Sequence, residues 1–118
     1  MARLDVTGKD VVVRLTWRER LRARRREVRV PLADVKDVRV EPDWWRALRG
    51  TPCSGRGRVG ERHHPQGRDF AAVRVGVPVV LVDLWRPVPF ARLAVSHSDA
   101  ERVARKLRKS LPLADSPR

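Results

Sequence analysis

The chain has 118 residues, 42% of them hydrophobic and 35% charged, with 27 basic against 14 acidic residues and a formal net charge of +13. That length suits one domain with its own core, and charge of mixed sign at this apolar content argues against global disorder. The lone cysteine, Cys53, excludes an intrachain disulfide, and no apolar run approaches the roughly 18 residues of a membrane span.

Residues 4–6 suit a short first strand, with Thr7, Gly8, Lys9 and Asp10 as a turn. Residues 11–15 suit a second, with Val11, Val13 and Leu15 on one face. Thr16 is placed to N-cap a single helical turn over 17–21, with Glu19 at N3 completing a capping box. The alternative is that this segment continues as extended chain. Val28, Arg29 and Val30 read as a strand whose pairing Pro31 ends, and Leu32, Ala33 and Asp34 read as a turn. Residues 35–41 read as a strand with Val38 and Val40 inward and Asp37, Arg39 and Glu41 outward. One wet face suits an antiparallel sheet. A short helical segment over 43–48 carries Trp44 and Trp45, and Gly50 stops it. Residues 50–67, with glycine at 50, 55, 57, 60 and 67 and proline at 52 and 65, read as a long loop with one short strand near 58–62.

The second half carries the stronger pattern. Two β-rich runs, 70–75 and 79–84, flank Gly76, Val77 and Pro78, which is a hairpin signal. A third run covers 91–97. Ser98 as N-cap and Glu101 at N3 then open a helix over 99–109. Ala100, Val103, Ala104, Leu107 and Leu111 form its apolar stripe, and Pro112 ends it. The expectation is a mainly β chain with one C-terminal α-helix: a single domain over 1–111 and a flexible tail over 112–118.

Three stretches resemble bacterial pleckstrin-homology-like (PH-like) proteins of the actinobacterial type. They are Val28-Arg29-Val30-Pro31-Leu32-Ala33-Asp34-Val35-Lys36-Asp37-Val38, then Trp45-Arg46-Ala47-Leu48-Arg49-Gly50-Thr51-Pro52 followed by Gly55, and the ending from Phe70 to Ala100. The resemblance implies a seven-stranded antiparallel barrel or roll capped by the C-terminal helix. It carries no catalytic residues. Phosphoinositide-binding PH domains place a lysine and then a basic-x-Arg across the first hairpin. Lys9 with Arg18, Glu19 and Arg20 can be fitted to that pattern, which an arginine-rich chain matches easily.

The composition gives 23 Arg against 4 Lys, a skew typical of a G+C-rich genome. Codon usage explains arginine in place of lysine, not the excess of basic over acidic residues. The excess points to a polyanionic partner: an anionic lipid surface, an acidic protein or nucleic acid. The densest basic run is Arg18, Arg20, Arg22, Arg24, Arg25, Arg26 and Arg29. Arginine offers a planar fork that suits phosphate oxygens. In a strand Arg18, Arg20, Arg22, Arg24 and Arg26 share a face; in a helix Arg18, Arg22, Arg25 and Arg29 do. The bland alternative is a solvated face with scattered ion pairs. Trp44, Trp45, Arg46 and Arg49 form a second candidate interface, where the tryptophans stack on bases, enter a lipid interface or simply pack.

No metal or cofactor is expected. His63 and His64 are adjacent, so their side chains diverge, and with Cys53 and His97 they lack the ligand spacing of a zinc site. A nucleophile built on Cys53 and a histidine lacks an orienting group. Gly55, Gly57 and Gly60 match a dinucleotide-binding spacing but follow no strand and open no helix. The reading is a non-enzymatic PH-like adaptor that contacts an anionic membrane surface or an acidic protein. Non-specific nucleic-acid binding is the alternative, and a small enzyme using Cys53 is the least favoured. Met1 to Val6 shows no apolar leader, so the expected location is the cytoplasm, peripheral to the membrane where the lipid reading holds.

Overall fold

A computed structural model of the chain describes residues 2–23, 26–53, 58–85 and 89–111, with the backbone alone for Arg22 and Ala23. Strands β1 (Arg3–Thr7) and β2 (Asp10–Arg14) form a hairpin closed by Gly8 and Lys9. Gly8 has φ of 61°, as the primed hairpin turns require. Helix α1 (Trp17–Ala23) then leads to β3 (Glu27–Pro31), which returns antiparallel to β2. The first sheet therefore has the order β1-β2-β3. Pro31 faces Asp10, and the next bond runs from the Leu32 N–H to the Lys9 carbonyl at 2.8 Å. Pro31 thus sits at a non-hydrogen-bonded position, where its missing N–H costs the ladder nothing.

A 3-10 turn (Leu32–Asp34) hands the chain to β4 (Val35–Glu41) in the second sheet. A second such turn (Trp44–Ala47) precedes β5 (Thr51–Pro52), β6 (Val59–His64), β7 (Gly67–Ala72), β8 (Val79–Leu84) and β9 (Arg92–Ser96). The order is β4-β8-β9-β7-β6-β5, antiparallel throughout except for the parallel pair β7/β9. Helix α2 (Ala100–Ser110) packs against β4, β8 and β1.

The main core lies between the inner faces of the two sheets and α2. Val11, Val13, Val28 and Val30 come from the first sheet, Phe70, Val80, Val82, Leu93 and Val95 from the second, and Ala100, Ala104 and Leu107 from the helix. A smaller cluster on the opposite face of the second sheet joins Ala71, Val73, Val79, Leu81 and Ala94 to Ala47, with Trp44 and Leu48 over it. Strands β7, β8 and β9 are therefore covered on both faces. That is why residues 79–82 read as an unbroken apolar run and not as an alternation.

The structure bears out the mainly β class: nine strands in two sheets among the described residues, with a helix at the C-terminal end. It does not close them into a seven-stranded antiparallel barrel. Both sheets are open, and β7 pairs β9 in parallel. The hairpin expected between 70–75 and 79–84 is absent because β9 inserts between β7 and β8. The six residues 73–78 are long enough to step over the end of a strand. Ser96, at the end of β9 and fully buried, secures that crossing. Its hydroxyl accepts from the Arg74 N–H at 2.7 Å, and the Pro78 carbonyl accepts from the His97 N–H at 3.0 Å.

The strand expected near 58–62 is present as β6, which runs on to His64 and turns through Pro65 and Gln66 into β7. Strand β5 adds a second short strand at Thr51–Pro52, and residues 54–57 of the expected loop lie outside the described residues. Helix α2 starts one residue later than expected. Its N-cap is Asp99, whose N–H is taken by His97 Nδ1 at 2.9 Å, so no Ser98–Glu101 box forms. Arg102 instead reaches Asp99 at 3.1 Å. The tail over 112–118 lies outside the described residues.

Candidate functional site

The capping box at Thr16 forms as the spacing suggests. Glu19 N–H donates to Thr16 Oγ1 at 3.3 Å, and Thr16 N–H donates to Glu19 Oε1 at 2.9 Å. The other carboxylate oxygen accepts from the Ala2 N–H at 3.2 Å, which ties α1 to the start of the chain. The capping box and this tether let a seven-residue helix hold its place without burying Trp17 or Leu21. Trp17 is 64% exposed and Leu21 is 70% exposed. They stand four apart on one face of α1.

Beside that face lies an open cleft of about 550 Å³, walled by the first turn of α1, by Arg58 and Val59 at the start of β6, and by residues 73–75. Backbone bonding holds the far wall: Val73 N–H donates to the Arg58 carbonyl at 2.8 Å. Arg18, Arg58 and Arg74 bring three guanidinium groups to it. Among the described residues no carboxylate pairs with any of the three. Glu19, the one acid lining the cleft among the described residues, bonds the Thr16 and Ala2 N–H groups. Arg18 sits 5.3 Å from the Trp17 ring centroid, and Val75 is exposed at the rim. The cleft thus combines exposed apolar side chains with positive charge that no acid compensates among the described residues.

The arginine run is not one stripe. Helix α1 ends at Ala23 and β3 begins at Glu27, so neither a continuous strand nor a continuous helix carries it. Arg18 faces the cleft. Arg20 Nε donates to the Leu15 carbonyl at 3.1 Å. Arg26 is exposed. Arg24, Arg25 and the Arg22 side chain lie outside the described residues. Arg29, on β3, bonds Asp10 at 3.2 Å and Glu27 at 3.1 Å. Those two acids, Asp10 first, raise its pKa above the ordinary guanidinium range. Arg58, Arg74 and Val75 were not singled out by sequence reasoning. Arg58 and Arg74 are far apart in the chain, and only the pairing of β6 with β7 brings them together.

The second candidate interface divides. Trp45 is exposed with the Arg46 guanidinium 5.1 Å from its ring centroid, whereas Trp44 is half-buried over the smaller cluster. Arg49 is committed elsewhere: its Nε and Nη2 donate to Asp69 Oδ2 and Oδ1, both at 2.7 Å. Asp69 raises the Arg49 pKa by that hydrogen bonding, against the opposing effect of burial. His64 Nε2 lies 2.8 Å from Asp69 Oδ1, and the Gln66 N–H donates to His64 Nδ1 at 3.2 Å. A carboxylate only accepts, so Nε2 donates to Asp69, while Nδ1 lies 3.2 Å from Gln66 Oε1 as well as from the Gln66 N–H. Both His64 and Asp69 are buried, so this network braces the sheet and offers no reagent to solvent.

His63 is exposed while its neighbour His64 is buried, so the two rings diverge. Cys53 is exposed, and its N–H donates to the Glu61 carbonyl at 2.9 Å. Among the described residues no three His, Cys, Asp or Glu side chains converge where a metal ion could sit. None of the helices described is long and apolar enough to cross a membrane. No protein-family profile, no curated protein and no solved structure matches the chain.

Proposed function

We propose that the chain is a non-enzymatic, PH-like binding module that docks on an anionic lipid surface, at the cytoplasmic face of a membrane, through the α1 face and its adjoining cleft. The observation that carries this is the exposed pair Trp17 and Leu21 beside Arg18, Arg58 and Arg74, which have no acidic partner among the described residues. An amphipathic surface of this kind places its apolar side chains below the headgroups and its guanidinium groups at the level of the phosphates. Nucleic acid would use the arginines and Trp17 by stacking, but it gives exposed Leu21 and Val75 nothing to contact. Two sheets with a C-terminal helix, together with the three sequence stretches, support the PH-like assignment. The parallel β7/β9 pair is a departure from an all-antiparallel roll.

The experiment is co-sedimentation with phosphatidylcholine vesicles, with and without phosphatidylserine. The parent should bind the anionic vesicles alone. Trp17→Ala with Leu21→Ala should weaken that binding by about tenfold or more, since each buried apolar side chain is worth on the order of 1.5–3 kcal/mol. Equal binding by parent and variant, or no binding by the parent, overturns the proposal.

A further inference from the structure

A second surface lies away from that cleft, along the free edge of β1. In the first sheet β1 is an edge strand. Its hydrogen-bonding phase follows from β3. Lys9 accepts from Leu32, so the odd positions of β2 bond β3 and the even ones bond β1. The N–H and C=O groups of Leu4 and Val6 therefore point away from β2, and no backbone partner takes them among the described residues. A groove of about 460 Å³ runs between this edge and α2. Leu4, Val6, Val103 and Leu107 supply apolar surface, and all four also touch the main core. Arg3, Arg102 and Lys106 form a basic rim. Asp5, which lines the groove, bonds Arg14 at 3.1 Å and reaches Arg3 at 3.7 Å, and Asp99 reaches Arg102 at 3.1 Å. The two rim pairs are solvent-exposed and contribute little, so Arg3 and Arg102 remain available to an incoming carboxylate.

We infer that this groove takes an extended acidic segment of a partner protein, which adds to the first sheet as a strand beside β1. Unsatisfied edge groups give the main-chain bonds of strand addition, and the flanking surface reads alternate side chains. One set of side chains meets Leu4, Val6 and Val103. The other, if acidic, meets the rim. Arg102 and Lys106 are separated by about 6 Å along the helix axis, close to the roughly 6.6 Å between alternate residues of a strand. A second copy of this chain is disfavoured as occupant. Pairing β1 with β1 would bring two such rims, on chains each carrying +13, against one another.

The test is fluorescence anisotropy of a labelled synthetic peptide that alternates glutamate and valine, in lipid-free solution. The parent should bind it, and a lysine–valine peptide should not bind. N-methylation of alternate peptide amides, which removes the donors but keeps the charge, should abolish binding. Arg102→Glu with Lys106→Glu, both on the exposed helix surface, should weaken it about tenfold or more. Circular dichroism confirms that this variant keeps its fold. Three results overturn the inference: no binding by the parent, equal binding of the methylated peptide, or equal binding by the double variant. Concentration-dependent dimerisation that the glutamate–valine peptide fails to compete also overturns it, because the edge would then be occupied by a second copy.

Discussion

Arg49 grips Asp69 through two hydrogen bonds of 2.7 Å, and Asp69 is only 1% exposed. The pair joins the turn after Trp44–Ala47 to the start of β7, and His64 completes it from β6. A carboxylate this deep is tolerable only while its cation and its other donor remain in place. Arg49→Ala should therefore destabilise the chain by about 3–5 kcal/mol, the usual cost of leaving one half of a buried pair behind. Urea denaturation measures it. A loss no larger than that of an exposed ion pair would show that solvent already screens Asp69.

The same pair sets a pH dependence. Asp69 raises the Arg49 pKa above the ordinary guanidinium range. A raised folded-state value means that the pair's contribution is complete below the unfolded value and is lost only as pH climbs through the folded one. For arginine that loss lies beyond working alkaline conditions. Arg49→Lys moves it into range, because a free lysine titrates near 10.4. The stability difference between parent and Arg49→Lys should be constant below about pH 10 and widen as pH rises above the free lysine value of about 10.4. The four native lysines titrate in both proteins and cancel in the difference. A difference that stays constant with pH would place residue 49 outside the charge balance of Asp69.

Gly50 has φ of 68°, and a Cβ there would collide with the backbone carbonyl of His63. That carbonyl belongs to β6 and cannot swing aside as a side chain would. Gly50→Ala should cost more than the roughly 1 kcal/mol of a left-handed alanine alone, with about 2 kcal/mol as the lower expectation. Thermal unfolding gives the comparison, with Gly8→Ala as control. Gly8 also has positive φ, but nothing lies within 4 Å of a Cβ there. Equal losses at the two positions would mean that conformation alone, and not the close approach, decides.

Leu107→Ala should cost on the order of 2–5 kcal/mol. Leu107 is buried in the main core with Ala100 and Ala104, on the stripe by which α2 docks. Chemical denaturation with an unchanged m-value would confirm a packing loss. A cost under about 0.5 kcal/mol, the scale of a surface substitution, would mean that the helix is not held there.

Local signals were legible in the sequence, and long-range ones were not. The α2 stripe, the Thr16–Glu19 box and the alternation of β4 depend on residues within one turn or one strand, and each appears where its pattern lies. The exchange of β9 for a β7–β8 hairpin could not be seen. Runs 70–75 and 79–84 are apolar on both faces, and such strands carry no mark of which neighbour they pair with. The candidate cleft was half legible. Arg18 was singled out by charge density, but Arg58 and Arg74 are single arginines in a chain with 23. Their value comes from having no acidic partner among the described residues, which composition cannot report. Arg29 and Arg49 show the converse. Each stands in a conspicuous sequence context, and each is already held by an acid that the fold delivers from elsewhere in the chain, Asp10 for Arg29 and Asp69 for Arg49.

The charge at the cleft should matter more than charge in general. Arg18, Arg58 and Arg74 line it, with no carboxylate partner among the described residues. A basic residue near an anionic bilayer contributes about 1 kcal/mol, less as salt rises. Changing all three to serine should then weaken binding to phosphatidylserine vesicles by about a hundredfold at low salt and by less at physiological salt. The matched control removes Arg102, Arg105 and Lys109 from the outer side of α2. Arg108 is left in place because its Nε donates to the Val38 carbonyl at 2.9 Å, so its loss would loosen the helix. Both triples lower the net charge by three, from +13 to +10. If only net charge acts, the two variants lose affinity equally. If the α1 face is the docking surface, the cleft triple loses most of its binding and the helix triple keeps most of its own. Vesicle titration followed by tryptophan fluorescence reads both, and Trp17 at the cleft rim should shift to shorter wavelength only where the face is engaged.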